Sequence, residues 1–162
     1  MAPEVIDRKG RQVSELDSGG VARKLIDAMN AHDLDAVGSL ANERIMFLDV
    51  ASGEEIEGRW QWRDYCGRYL TGFSDLRLEL VNLIVGDDTA VAEAVARGTH
   101  DGPLAGPGGE IPPTGSTIEV QFCFVLRVGG GEILDSREYY DAMTLMTQLG
   151  LIPPSPGPGD AP

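Results

Sequence analysis

The sequence predicts an α+β domain in which a bent, largely antiparallel sheet wraps around three helices to make a cone with an open mouth. Three observations predict it. Apolar residues recur at helical spacing in segments near the N-terminus and again over residues 60–70. Alternating segments joined by short turns then follow one another, which reads as adjacent antiparallel strands. One of those strands switches its apolar phase midway, as a bulged or sharply bent strand does.

Ser18 is the expected N-cap of a first helix, with Val21, Leu25, Ile26 and Met29 on its inner face and its end near Asn30. A turn and a second short helix follow, with Leu34, Val37 and Leu40 inward. His32, in the connection, is expected to be exposed and uncommitted. Residues 44–50 read as a strand with Phe47 and Asp49 on one face and Met46 and Leu48 on the other. After a Gly53 turn and a brief extended piece, Trp62, Tyr65, Cys66, Tyr69 and Leu70 fall at i, i+3, i+4, i+7 and i+8 of a helix. That stripe reads as core, with at most one tyrosine hydroxyl facing a cavity.

The strand over 76–85 carries the phase switch, from Leu76, Leu78 and Leu80 to Val81, Leu83 and Val85. Its partner over 90–99 alternates small alanines (90, 92, 94, 96) with larger residues, so one face is shaved down. Residues 101–115 are Gly/Pro-rich and too long for a hairpin turn; they are read either as a lid or rim of a site or as an excursion without structure. Ile118, Val120, Phe122, Phe124 and Leu126 alternate through a half-buried strand. Gly129–Gly131 then turn the chain into the last strand and a short helix. The expected limits are a loose arm at 1–17, the folded domain at 18–151 and a Pro/Gly-rich tail at 152–162.

One domain of this kind fits the 162 residues. A formal net charge of −13, with no long Lys/Arg cluster, argues against nucleic acid and anionic membranes as partners. No apolar run approaches the roughly 18 residues of a membrane helix, and no signal-peptide pattern opens the chain. Cys66 and Cys123 have neither zinc-site nor disulfide-framework spacing and are read as buried, reduced thiols of a cytoplasmic protein.

The last strand carries the chemistry. Leu134, Ser136, Glu138 and Tyr140 share a face, and a carboxyl at Glu138 surrounded by Phe122, Phe124 and the alanine face would have its pKa raised by burial. Such a group exchanges protons near neutral pH; the alternative is an ion pair with an arginine. His100, at a strand end beside the Pro/Gly loop, either forms a dyad with Glu138 or caps the loop backbone. Asp49 orients a hydroxyl or water from the opposite wall, or ends its strand. Tyr140 donates to a developing oxyanion or closes the core; Ser136 is a further lining residue. Arg137 is read as an ion-pair partner of Asp135 or Glu132. Phe47, Trp62, Tyr65, Tyr69, Phe122 and Phe124 complete the expected substrate-binding set. No nucleophile elbow, phosphate loop or metal-ligand cluster appears, which leaves acid/base catalysis with no cofactor and no metal.

Five short stretches, in order, carry a resemblance: Gly98-Thr99-His100-Asp101-Gly102, Pro112-Pro113-Thr114-Gly115, Arg127 with Gly131-Glu132-Ile133, Arg137-Glu138-Tyr139-Tyr140-Asp141, and Gln148-Leu149-Gly150. Over roughly residues 19–151 the chain resembles the SnoaL-like polyketide cyclases, of the NTF2-like cone fold. The resemblance implies a small-molecule, polyketide- or terpenoid-like substrate and a homodimer. It places a carboxylate acid/base at Glu138, where the family has aspartate, and retains the histidine of the GxHxG segment as His100. An asparagine of the family becomes Asp49. A glutamine–histidine pair in the preceding strand becomes Phe122 and Phe124, which fits a more apolar substrate. The Arg-x-Asp of the limonene epoxide hydrolase relatives is missing after Arg97. The expected function is a cofactor-independent cyclase closing a ring by aldol chemistry or by epoxide opening. The alternatives are an enzyme adding water to an epoxide and a non-catalytic NTF2-like binding or assembly module.

Overall fold

The computed structural model describes residues 17–106 and 108–153. The expected arm, apart from Asp17, and the tail beyond Pro153 lie outside the described residues.

Helix α1 (Ser18–Asn30) begins at Asp17, whose carboxylate accepts from the Gly20 N–H at 2.8 Å. The cap is therefore one residue earlier than the expected Ser18. The Ser18 hydroxyl instead donates to the carbonyls of Gly86 and Thr89, pinning the helix start to a strand turn. Val21, Leu25, Ile26 and Met29 are buried as their spacing predicts. Helix α2 (Leu34–Ser39) is capped by Asp33. Between the helices His32 adopts φ 55°, and its Nε2 lies 3.0 Å from the Leu76 carbonyl oxygen. The residue is exposed as expected, but its ring is committed to that carbonyl.

Strand β1 (Ala41–Asp49) buries Phe47 and Asp49 and exposes Met46. Strand β2 (Glu54–Glu57) leads into α3 (Arg59–Gly72), which buries Trp62, Tyr65 and Cys66. Then follow β3 (Arg77–Val85), β4 (Thr89–Thr99), β7 (Thr117–Gly129) and β8 (Glu132–Tyr140), with the small ribbon β5 (Leu104–Gly106) and β6 (Gly109–Ile111) inserted after β4. Helix α4 (Ala142–Gln148) closes the domain.

The six-stranded sheet has the order β2-β1-β8-β7-β4-β3. All its pairings are antiparallel except β1 with β8, which run parallel. Three register shifts bend it: between Ala41 and Met46, between Leu80 and Asn82, and between Arg127 and Val128. The second is the bulge that the phase switch predicts. The extra residue, Val81, turns outward and is 63% exposed, so it leaves the inner face assigned to it. The third lies opposite Leu134. It makes Ile133, not Leu134, the buried residue at the start of β8, while Ser136 and Glu138 keep the inner face.

Alanines 90, 92, 94 and 96 are all buried. Their small side chains let α1 lie close over β3 and β4. The β7–β8 hairpin turns through Gly130 and Gly131 at φ 61° and 79°, the left-handed pair that a two-residue turn requires. The result is the α+β cone with helices on the concave side of a curved sheet. Among the described residues no helix is long and apolar enough to cross a membrane.

The 101–115 segment is neither featureless nor free. The Asp101 and Gly102 N–H groups donate to the Gly72 carbonyl, and Leu104 packs on the end of α3. The ribbon thus stands as a wall beside the cone mouth.

Candidate functional site

The site begins with a pairing that sequence order hides. Because β1 and β8 are parallel neighbours, Asp49 stands beside Glu138 in register, and the Val50 N–H donates to the Glu138 carbonyl at 3.0 Å. In-register side chains on adjacent strands share a face. Asp49 therefore shares the wall with Glu138 instead of facing it from the opposite side. It also ends its strand: Oδ1 accepts from the Ala51 and Ser52 N–H groups at 2.9 and 3.1 Å, and Oδ2 accepts from the Ser52 hydroxyl at 2.7 Å.

Helix α3 covers the pair. The Tyr65 hydroxyl donates to Asp49 Oδ2 at 3.0 Å and is 3.0 Å from the Tyr69 hydroxyl. The Tyr140 hydroxyl donates to the same Oδ2 at 3.3 Å. Both helix tyrosines bring their hydroxyls into the site, not the single one expected, because both face the sheet one turn apart. Phe47 packs on the Tyr65 ring with centroids 4.6 Å apart, and the Arg68 guanidinium lies over that ring at 5.3 Å while bonding Glu54 at 2.8 Å.

Glu138 is 5% exposed and Asp49 2%. Burial and then the charge of Asp49 push the Glu138 pKa up to about 8, while the nearby Tyr65 hydroxyl pulls it the other way. Burial and the charge of Glu138 likewise raise the phenols of Tyr65 and Tyr69 and the thiol of Cys66. For Tyr140 the causes are burial and Asp49.

Two chambers meet at this cluster. The inner one, ≈ 50 Å³, is lined by hydrocarbon and aromatic groups including Trp62, Phe73, Phe122 and Phe124, with Ser136 and Glu138 as polar insertions. It is large enough for a few waters or the small end of a ligand. The outer one, ≈ 310 Å³, has the size of a small-molecule site and is lined by Asp49, Ser52, Arg68, Tyr140 and the β5–β6 ribbon. Tyr65, Tyr69 and Leu145 belong to both and form the partition. Phe122 stacks between Phe124 and Tyr140, with centroids 6.0 and 4.9 Å apart, giving an apolar wall beside the acid.

His100 is elsewhere. Ala92 lies across Phe124 from Glu138, and His100 is eight residues farther along β4, roughly 25 Å of extended chain. Its ring is fully buried on Phe73, and its Nδ1 accepts from the Thr114 N–H at 3.2 Å and lies 3.0 Å from the Thr114 hydroxyl. Burial lowers its pKa. The expected dyad with Glu138 is not formed; His100 caps the loop backbone, the other reading of its position. Arg137 lies 3.9 Å from Asp135, the ion pair expected of it.

Ser52, Leu145 and the Arg68–Glu54 pair are site features that sequence reasoning missed, whereas the β5–β6 ribbon follows the rim reading of residues 101–115. Only the Asp49–Ser52 spacing, typical of a side-chain-bonded turn, offered a signal. Among the described residues, no group of three His, Cys, Asp or Glu is placed to hold a metal ion.

Residues 20–149 match the model of the family described as SnoaL-like polyketide cyclase. The chain belongs to this family. No curated protein matches the sequence. Among solved structures, the SnoaL-like chain is similar to a candidate SnoaL-like polyketide cyclase from Jannaschia sp. CCS1, at 24% identity and TM-score 0.72, covering 90% of this chain and 100% of that one. It is similar to IdmH, a candidate polyketide cyclase from Streptomyces antibioticus, at 24% identity and TM-score 0.67, covering 81% and 96%. A third is a hypothetical protein of ketosteroid isomerase-like fold from Catenulispora acidiphila DSM 44928, in complex with trimethylamine, at 22% identity and TM-score 0.68, covering 82% and 93%. The SnoaL-like chain thus has the ketosteroid isomerase-like, or NTF2-like, fold.

Proposed function

We propose that this SnoaL-like protein is a cofactor-independent cyclase that closes a ring in a polyketide-type small molecule, with Glu138 as general acid and Asp49 as general base. The observation that carries this reading is the buried, in-register Asp49–Glu138 pair, in which burial and the charge of Asp49 raise the proton affinity of Glu138. Two such carboxyls with different environments are the usual basis for dividing acid and base roles.

The substrate occupies the outer chamber and places its electrophilic end in the small inner one. Glu138 gives its proton to the electrophile's oxygen while Asp49 takes one from the attacking hydroxyl. Holding both ends in one apolar enclosure supplies the orientation that ring closure needs, an effect worth several kcal/mol. The wall of Phe122 and Phe124 offers no polar support for an enolate, which favours opening of an epoxide over aldol closure. The reading carries with it a cytoplasmic homodimer, its copies meeting through the outer sheet face where Val81, Ile84 and Tyr139 stand exposed.

The test uses polyketide-type hydroxy-epoxides in water enriched in oxygen-18. A cyclase gives a cyclic ether without label, and Glu138→Gln lowers turnover by roughly 10²–10⁴-fold while product still binds. Labelled diol shows a hydrolase instead. Binding without turnover in either protein shows a non-catalytic module.

A further inference from the structure

A reaction in which Glu138 loses a proton and Asp49 gains one leaves the pair in the wrong protonation state for the next cycle. Glu138 is nearly sealed from solvent, and the partition of Tyr65, Tyr69 and Leu145 stands between its chamber and the mouth. While product fills the opening between the chambers, the proton returns by a route inside the protein.

The Tyr65 hydroxyl sits where that route would run. It donates to Asp49 Oδ2 at 3.0 Å, and it lines the inner chamber together with Glu138. Asp49 and Glu138 are in-register neighbours, so a hydroxyl held on one carboxyl faces the other. Tyr65 lines both chambers, and its ring contacts both Phe47 and Arg68, which holds the oxygen in place while its proton rotates.

We propose that Tyr65 is a proton relay that resets the Asp49–Glu138 pair after each turnover. The inference rests on the acid and base roles assigned above. The step balances without any other reactant. Asp49 passes its proton to the Tyr65 oxygen as Tyr65 passes its own to the Glu138 carboxylate. The end state is neutral Glu138, anionic Asp49 and a tyrosine hydroxyl that again donates to Asp49, as in the structure. No free phenolate forms, which matters because burial and the nearby carboxylates strongly disfavour one. Tyr69 and Tyr140 extend the hydroxyl network toward the outer chamber but do not bridge the two carboxyls in this way.

The test needs no substrate. The full-length protein at pH 7 is mixed rapidly into deuterium oxide, and the neutral Glu138 carboxyl is followed by its infrared carbonyl band, assigned by its loss in Glu138→Gln. The expected result is rapid deuteration in the native protein and deuteration at least tenfold slower in Tyr65→Phe, with unchanged circular dichroism and little change in Tyr69→Phe. Equal rates in native protein and Tyr65→Phe overturn the relay alone. Absence of the carboxyl band overturns the acid assignment, and the relay with it. If Tyr65→Phe does not fold, a ring-fluorinated tyrosine at position 65 keeps the shape and acidifies the hydroxyl. An altered exchange rate then supports the relay, and an unaltered one overturns it.

Discussion

Asp49 and Glu138 stand in register on parallel neighbouring strands, two carboxyls sharing one buried wall under a single tyrosine hydroxyl. Burial beside Asp49 makes the proton affinity of Glu138 depend on its neighbour's charge, and most measurable behaviour of the protein should follow from that.

Stability should fall as pH rises. The Glu138 carboxyl goes from an ordinary value of 4.5 to about 8 on folding, so between those values the folded chain holds a proton that the unfolded chain releases. The contribution is fully present below pH 4.5 and is lost through pH 8, a span on the order of 5 kcal/mol. Glu138→Gln removes the titrating group. Its melting temperature should therefore be flatter between pH 5 and 8 and exceed that of the native protein at pH 9, as calorimetry can check.

Removing the neighbouring charge should move the acid. In Asp49→Asn the repulsion on Glu138 disappears while burial, the larger cause, stays. The Glu138 titration, read by carbon-13 resonance of labelled glutamate, should shift below 8 without reaching 4.5. An unshifted titration would mean that the two carboxyls do not feel each other.

If Glu138 is the acid, kcat/KM for a hydroxy-epoxide should fall above pH 8, where the proton to be donated is gone. His100→Ala should leave that falling limb in place, because the histidine lies along β4 well away from the acid. The same variant should lose about 2–4 kcal/mol of stability, through the emptied space on Phe73 and the loop N–H of Thr114 left without its acceptor. Chemical denaturation separates the two effects.

Gly102→Ala should damage the outer chamber. A methyl group there would run into the Thr71 backbone oxygen, where the chain hangs on the Gly72 carbonyl. A backbone clash cannot be relieved by a rotamer change, so a loss of about 2 kcal/mol or more is expected. Ligand binding should weaken while the Glu138 titration persists.

Local patterns carried most of the fold. The stripe on α3, the alternation along β7 and the phase switch in β3 each report which side of an element is buried, and each is visible within a few residues. Glu138 was legible for the same reason, sitting on the inner alternation of β8. Its neighbour was not: that β1 runs parallel beside β8 depends on distant strands, so Asp49 was expected on the opposite wall. His100 was misplaced because sequence shows that it follows a strand without showing how far that strand runs past the site. The second tyrosine hydroxyl depends on what α3 packs against, and the displaced Leu134 on a bulge whose cause lies in the facing strand.

The strand that carries Glu138 lies in the middle of the sheet yet is the last one in the chain, and Tyr140 and Asp49 are 91 positions apart. As the protein leaves the ribosome, β1 and β7 must wait with open edges until β8 slots between them. Unpaired edges of this kind invite association with other chains. The acid and the base therefore come into being in the same late event that seals the sheet. A nascent chain stalled before β8 would have most of its helices and strands, a gap through its centre and no proton-transfer pair.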